Sequence, residues 1–326
     1  MWLFQSIFGS DATACSYPET LIKAAIERAV DGTDPWIRAV SGYKRKLRPA
    51  VVMSIDHVMA LVDGMAPPIV LEPGSYGSDP RLRTFFISNE EMRKVLDNDR
   101  NLADFRRGQA VVLPHVTALL AMKKQEQVFF GAELSGDIVL RDVPQVTVSF
   151  EAHRLIDPAG SEEETRRQLR RRAFDHLLSL ALWQIAIVKT ERDKLERYRA
   201  LLQSKLNLLQ RGSWGFNETA ADEHPDVVDI EEQLDKIETQ LLELGGDDRM
   251  LEVYLGIVTD VLGRPEKHLW ARKETLILDR RGIKQSEAAD DAPEVTLDLM
   301  CDSEGRSMVV SLVATEVETI RDDDRA

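Results

Sequence analysis

Two adjoining stretches of the chain carry apolar residues at helical spacing. Val227, Ile230, Leu234, Ile237, Leu241 and Leu244 follow a 3-4-3-4-3 progression, which keeps one apolar seam turned toward a partner helix. In the stretch before it, Val188, Leu195, Leu202 and Leu209 recur every seven residues, with Ile185 and Leu206 on the companion register. The connection between the arms, Arg211 to Asp226, is short, so antiparallel pairing within one chain costs little loop-closure entropy. The pattern predicts a helical hairpin from about Thr165 to Leu244, paired as a coiled coil.

Other helical periods flank it. Pro18 to Val30 reads as a helix with Leu21, Ala24, Ala25, Ile26 and Ala29 on its apolar side, and Pro35 to Asp63 reads as a second, kinked or divided at Pro49. Asn89 to Leu96 forms a further helix capped by Ser88, and His115 to Lys124 is expected to be helical too. Met250 to Leu262 returns as a helix that covers the near-continuous apolar run Leu177 to Val188, the buried root of the first arm. Gly245-Gly246 stops the second arm.

Elsewhere the period is two. Leu82 to Ile87 reads as a short strand, and Val128 to Glu133, Asp137 to Asp142 and Gln145 to Leu155 as a three-stranded meander broken at Ser135-Gly136 and Pro144. Thr275 to Asp279, Glu294 to Cys301 and Ser307 to Val317 continue the β pattern, with Asp302-Ser-Glu-Gly305 as a hairpin turn. The expected fold is therefore α+β: mostly helical, with a projecting antiparallel coiled-coil hairpin and a small antiparallel sheet formed by segments before and after it. Its divisions are a mainly helical region over 1–125, an antiparallel β region over 126–160 and 264–320, the hairpin with its returning helix over 161–263, and a tail over 321–326.

Composition narrows the class. Over 326 residues, 43% are hydrophobic and 30% charged, the balance of a globular protein. A net charge of -14 argues against nucleic acid as a partner, since phosphate backbones attract clustered cations. Cys15 and Cys301 stand alone and the six histidines share no ligand spacing, so neither a metal nor a disulfide framework is indicated and no cofactor is expected. With no convincing secretory leader and no run long enough to span a bilayer, a cytoplasmic location is expected.

Three features carry candidate function. Trp214 and Phe216 sit among glycines at the hairpin's tip, a candidate docking point for a protein partner; the alternative is that they fold back over the arm ends. Lys44, Arg45, Lys46 and Arg48, with Arg166, Arg167, Arg170 and Arg171, form two basic clusters suited to a phosphorylated or otherwise anionic ligand; the alternative is a salt-bridged surface, because Glu162 and Glu163 stand four residues before Arg166 and Arg167. Trp2, Leu3, Phe4, Ile7 and Phe8 could insert shallowly into a membrane surface, although no basic residue accompanies them. No GxSxG, GxGxxG or GxxxxGK[ST] motif is present. These observations favour a scaffold or adaptor acting through the hairpin and its aromatic tip, with homo-oligomers through the coiled coil as a further possibility. An anionic-ligand enzyme or sensor and a membrane-associated protein are the alternatives.

Overall fold

A computed structural model describes residues 17–72, 74–108, 113, 115–135, 138–211, 225–245, 249–289 and 292–316. In chain order its elements are α1 (Glu19–Asp31), α2 (Tyr43–Asp63), β1 (Ile69–Val70), α3 (Pro80–Phe85), α4 (Asn89–Asn98), α5 (Arg100–Gly108), β2 (His115–Ser135), β3 (Ile138–Ala159), α6 (Glu162–Arg211), α7 (Pro225–Glu243), α8 (Met250–Gly263), β4 (Leu269–Ile277), β5 (Glu294–Asp302) and β6 (Ser307–Glu316). The fold is α+β. The described residues form two compact units: one gathers Tyr17–Ile55 with Asp175–Pro265, the other Asp56–Phe174 with Glu266–Glu316.

The first unit is helical. α1 buries Leu21, Ile22, Ala25, Ile26, Ala29 and Val30, the stripe that its apolar spacing dictates. At Gly32 the chain passes close to α6: an added Cβ would lie 3.0 Å from Leu178 Cδ1 and 3.1 Å from the Arg28 carbonyl oxygen, so a side chain there would push its neighbours by a few tenths of an ångström. Asp34 then caps a single 3-10 turn at Pro35–Ala39 by accepting from Trp36 N at 2.9 Å. The chain breaks here, with Gly42 at a φ of 69°, and α2 runs unbroken through Pro49. Buried Ser54 donates to the Leu262 carbonyl at 2.7 Å and joins α2 to α8.

The second unit is built on a six-stranded sheet of order β3-β2-β6-β5-β4, antiparallel throughout except that β1 lies parallel to β6. Beyond β4 the chain swings back to the opposite edge, where Val148 N donates to Gly282 O and Lys284 N to Val146 O, both at 2.8 Å, so the sheet curls toward closure. Alternation sends Val116, Ala118, Leu120 and Met122 of β2 to the inner face, with Val295, Leu297 and Leu299 of β5 and Leu82, Phe85, Met92 and Leu102 of α3, α4 and α5. Leu119, Ala121, Val310 and Leu312 face the other way, against Val62 at the end of α2 and Leu169 of α6.

Several elements differ from the pattern-based expectation. His115 to Lys124 is the start of β2, not a helix: both of its faces are buried, so its apolar residues are nearly continuous and the period of two is masked. Leu82 to Ile87 is helical through Phe85, with Asp79 accepting from Arg81 N at 2.8 Å and Pro80 in the first turn. α5 lies where no element was expected. The three-stranded meander is two long strands, with Pro144 inside β3 opposite Phe130. Three times, one residue of β2 faces two of β3, and each such pair on β3 includes a residue in the left-handed region: Asp142 at φ 57°, Ala152 at 54° and Asp157 at 50°. These bulges bend β3 without ending it.

Candidate functional site

Side chains of α6 and α7 pack together over part of their length, whereas Leu209, expected in the same seam, is 41% exposed. Leu202, Ile230, Ile237 and Leu241 form a buried cluster, with Leu195, Leu206 and Leu234 packed against it. Arg192, at an otherwise apolar register position, donates to Glu196 at 2.7 Å and to the Gly245 carbonyl at 2.7 Å, so its charge sits against the C-terminal end of α7, where a cation is favoured. Tyr198 donates to Gln233 Oε1 at 3.0 Å along the flank.

Apolar side chains also point away from these contacts. Leu201 and Leu242 are 65% and 72% exposed. Farther back on α6, the apolar run Leu177 to Val188 is covered on one stripe only: Leu177, Leu178, Ala181 and Ile185 are buried, whereas Leu182, Trp183 and Ile187 are exposed. The expectation of a root buried all round is corrected here. An apolar circumference needs neighbours on every side, and this helix has them on one. Trp214, Phe216 and the N-terminal set Trp2, Leu3, Phe4, Ile7 and Phe8 lie outside the described residues.

The basic residues fall into the two units. In the first, Lys44 lies 2.8 Å from Glu27, Lys46 3.6 Å from Glu252, and Arg48 pairs with Glu19, while Arg45 is exposed. Hydrogen bonds from Lys44, then Arg38 and Tyr43, outweigh partial burial and hold the Glu27 carboxyl at about 2. In the second, Arg166 donates to the Val62 carbonyl at 2.6 Å and the Met65 carbonyl at 3.2 Å, closing the C-terminal end of α2, and also reaches Glu162 at 2.7 Å. Arg170 reaches Asp63 at 2.5 Å, Arg167 pairs with Glu164, and Arg171 is exposed. Each cluster thus has structural partners of its own.

Two open grooves lie among the described residues. One of about 490 Å³ is lined by Lys46, Glu252, Thr259, Asp260 and Arg264, in which Lys46 is paired with Glu252 and Arg264 with Asp260. The other, of about 660 Å³, is lined by Ser78, Asp79, Arg81, Lys273, Thr296 and Asp298, with Arg81 held by Asp79 at 2.7 Å. Glu151 and His153 are separated by the bulge at Ala152, which breaks their period-two relation. His153 Nε2 lies 2.8 Å from the Phe85 carbonyl and its ring stacks on Phe86 at 4.8 Å, so it closes the end of α3. Among the described residues no group of three or more His, Cys, Asp or Glu side chains could hold a metal ion. Among them, too, no helix is long and apolar enough to cross a membrane.

The chain matches no family model, and no curated protein or solved structure was found to match it. What the surface offers is a class of candidate, long paired helices with outward apolar side chains, and no particular relative.

Proposed function

We propose that this protein is a scaffold or adaptor that engages another protein through α6 and α7, paired as an antiparallel coiled coil. The observation that carries the reading is the division of apolar side chains along these helices. Leu195, Leu202 and Leu206 of α6 cluster with Ile230, Leu234, Ile237 and Leu241 of α7, while Leu201 and Leu242 stay outward beside them. A seam already filled leaves the flanks, and not the heptad core, as the surface for a partner. Trp214 and Phe216, between the two helices in sequence, extend the same proposal to the tip.

Pull-downs from cell extract read by mass spectrometry test it. They compare the intact protein with Leu201→Glu plus Leu242→Glu, and with Trp214→Ala plus Phe216→Ala. Loss of a reproducible partner with either pair supports the adaptor reading and assigns it to flank or tip. Equal recovery with both overturns it.

A further inference from the structure

The β2–β3 hairpin outruns the sheet that holds it. β2 pairs with β6 only from His115 to Met122, whereas its pairing with β3 continues as far as Ser135 opposite Ile138. Beyond Val128 and Val146 the hairpin is a two-stranded ribbon, a form that is marginal in water unless another strand or a helix covers it. On one face Val128 stands opposite Val146 and Phe130 opposite Pro144. Val128 is 70% exposed and Phe130 73%, and Phe129 on the other face is 36% exposed. This face continues the side of β2 that α3, α4 and α5 cover farther back.

The ribbon's two edges differ. The outer edge of β3 is guarded: residues 282 and 284 pair with Val148 and Val146, Pro144 brings no backbone donor, and the bulge at Asp142 breaks the line. The outer edge of β2 from Lys123 to Ala132 has none of these. It contains no proline and no positive φ, the extra residues of the bulges all lie on β3, and among the described residues no strand pairs with it. A straight edge beside an uncovered apolar face is a template for another strand.

We propose that this edge of β2 pairs antiparallel with the same edge of a second copy of the chain, giving a four-stranded ribbon across a two-fold axis at Phe129. The occupant follows from self-complementarity. With the axis at Phe129, Val128 of each copy faces Phe130 of the other on the apolar face, and the two Phe129 rings meet on the opposite face. Glu126 then stands opposite Ala132, so no like charges oppose one another between them. A neighbouring copy offers this match at both ends at once.

Sedimentation of the full chain over a range of concentrations is the first measurement, with dimers expected near micromolar concentration for so small an interface. Val128→Lys plus Phe130→Lys changes exposed positions and is expected to weaken the dimer at least tenfold with an unchanged circular dichroism spectrum. Phe129→Cys with Cys15→Ser is expected to cross-link to itself on mild oxidation, because only that residue meets its own copy in this register, whereas Gln125→Cys in the same background is not. A monomer up to about 0.1 mM, a hundredfold above a micromolar Kd, overturns the proposal. So does a dimer that survives the lysine pair, including one lost instead with Leu201→Glu plus Leu242→Glu. Binding of monomeric protein to anionic lipid vesicles that the lysine pair alters would reassign the face to a membrane and overturns it as well.

Discussion

One strand of this protein exists in two conditions. From His115 to Met122, β2 lies between β3 and β6 with side chains buried on both faces; from Lys123 onward the same strand, with the same alternation, keeps β3 but has lost β6 and the helices that cover the body. Leu120 in the first half is fully buried, and Phe130 in the second is 73% exposed. Alternation fixes which face a residue points to. Coverage is decided by where the neighbouring elements end. The inner face is covered only as far as α3, α4 and α5 reach, and β6 pairs no farther than Met122.

The sharpest way to break this comparison is to shorten one side chain in each half. Leu120→Ala should cost about 2–5 kcal/mol in urea unfolding, since it removes packed atoms and leaves a cavity between layers. Phe130→Ala should stay within about 0.5 kcal/mol, as for surface positions generally. If the two costs come out alike, the ribbon is covered within the chain and the contrast fails.

The next largest effect concerns what holds the cover in place. Val62 and Met65 shield the outer face of the body, and Arg166 fixes the end of α2 by donating to both of their carbonyls. Arg166→Met keeps much of the side chain's bulk but leaves those carbonyls without their charged donor, and is expected to destabilise by about 1–3 kcal/mol. Arg171→Met, at an exposed position, should change stability by less than about 0.5 kcal/mol. Equal losses would show that the arginine run acts as a general charge and not as a cap.

How much of this was legible beforehand depends on how many partners an element has. α6 and α7 could be read as helices because one-sided packing leaves an apolar stripe, and α4 because Ser88 accepts from Glu91 N at 3.1 Å, as its sequence signals. β5 and β6 kept their alternation. The start of β2 carries no visible alternation because Leu119 and Ala121 are buried opposite Val116, Ala118 and Leu120, which removes the polar half of the pattern. α3 did carry its own signs, Asp79 and Pro80 ahead of Leu82, Phe85 and Phe86, and a period of three and four was there to be seen. The bulges were not legible, since an alanine at 152 announces no turn. For the candidate surfaces, sequence marked the paired helices, whereas the exposed Val128, Phe129 and Phe130 only stand out once the shorter reach of β6 is known.

Those bulges offer a smaller test of the same strand pair. Ala152 holds a φ of 54°, a conformation that glycine adopts freely and β-branched residues resist. Ala152→Gly should be neutral or stabilising by up to about 1 kcal/mol, because relief of the backbone offsets glycine's greater freedom in the unfolded chain. Ala152→Val should destabilise by about 1–2 kcal/mol if the bulge is maintained. Thermal unfolding of the pair reads the difference, and the opposite order would mean that this residue is not left-handed in solution.

The smallest effect lies where body turns into ribbon. Lys124 donates to Glu126 at 2.9 Å and to Glu274 at 2.5 Å, and Lys284 donates to Glu126 at 2.9 Å, so one carboxylate at the ribbon's base is held by two ammonium groups. Hydrogen bonds from Lys124 and then Lys284 place the Glu126 carboxyl below its ordinary value of 4.5. A carboxyl whose folded value is lowered stabilises the fold above its unfolded value and loses that contribution as pH falls through the folded one. Because the glutamate side chain is 38% exposed, solvent screening keeps the contribution to a few tenths of a kcal/mol. Glu126→Gln should therefore unfold slightly earlier than the parent at pH 7, and the gap should close in acid once the parent's carboxyl is itself protonated. A gap that widens in acid would contradict the assigned direction, and one that grows well beyond a few tenths at pH 7 would mean that the ribbon's base is packed like the body.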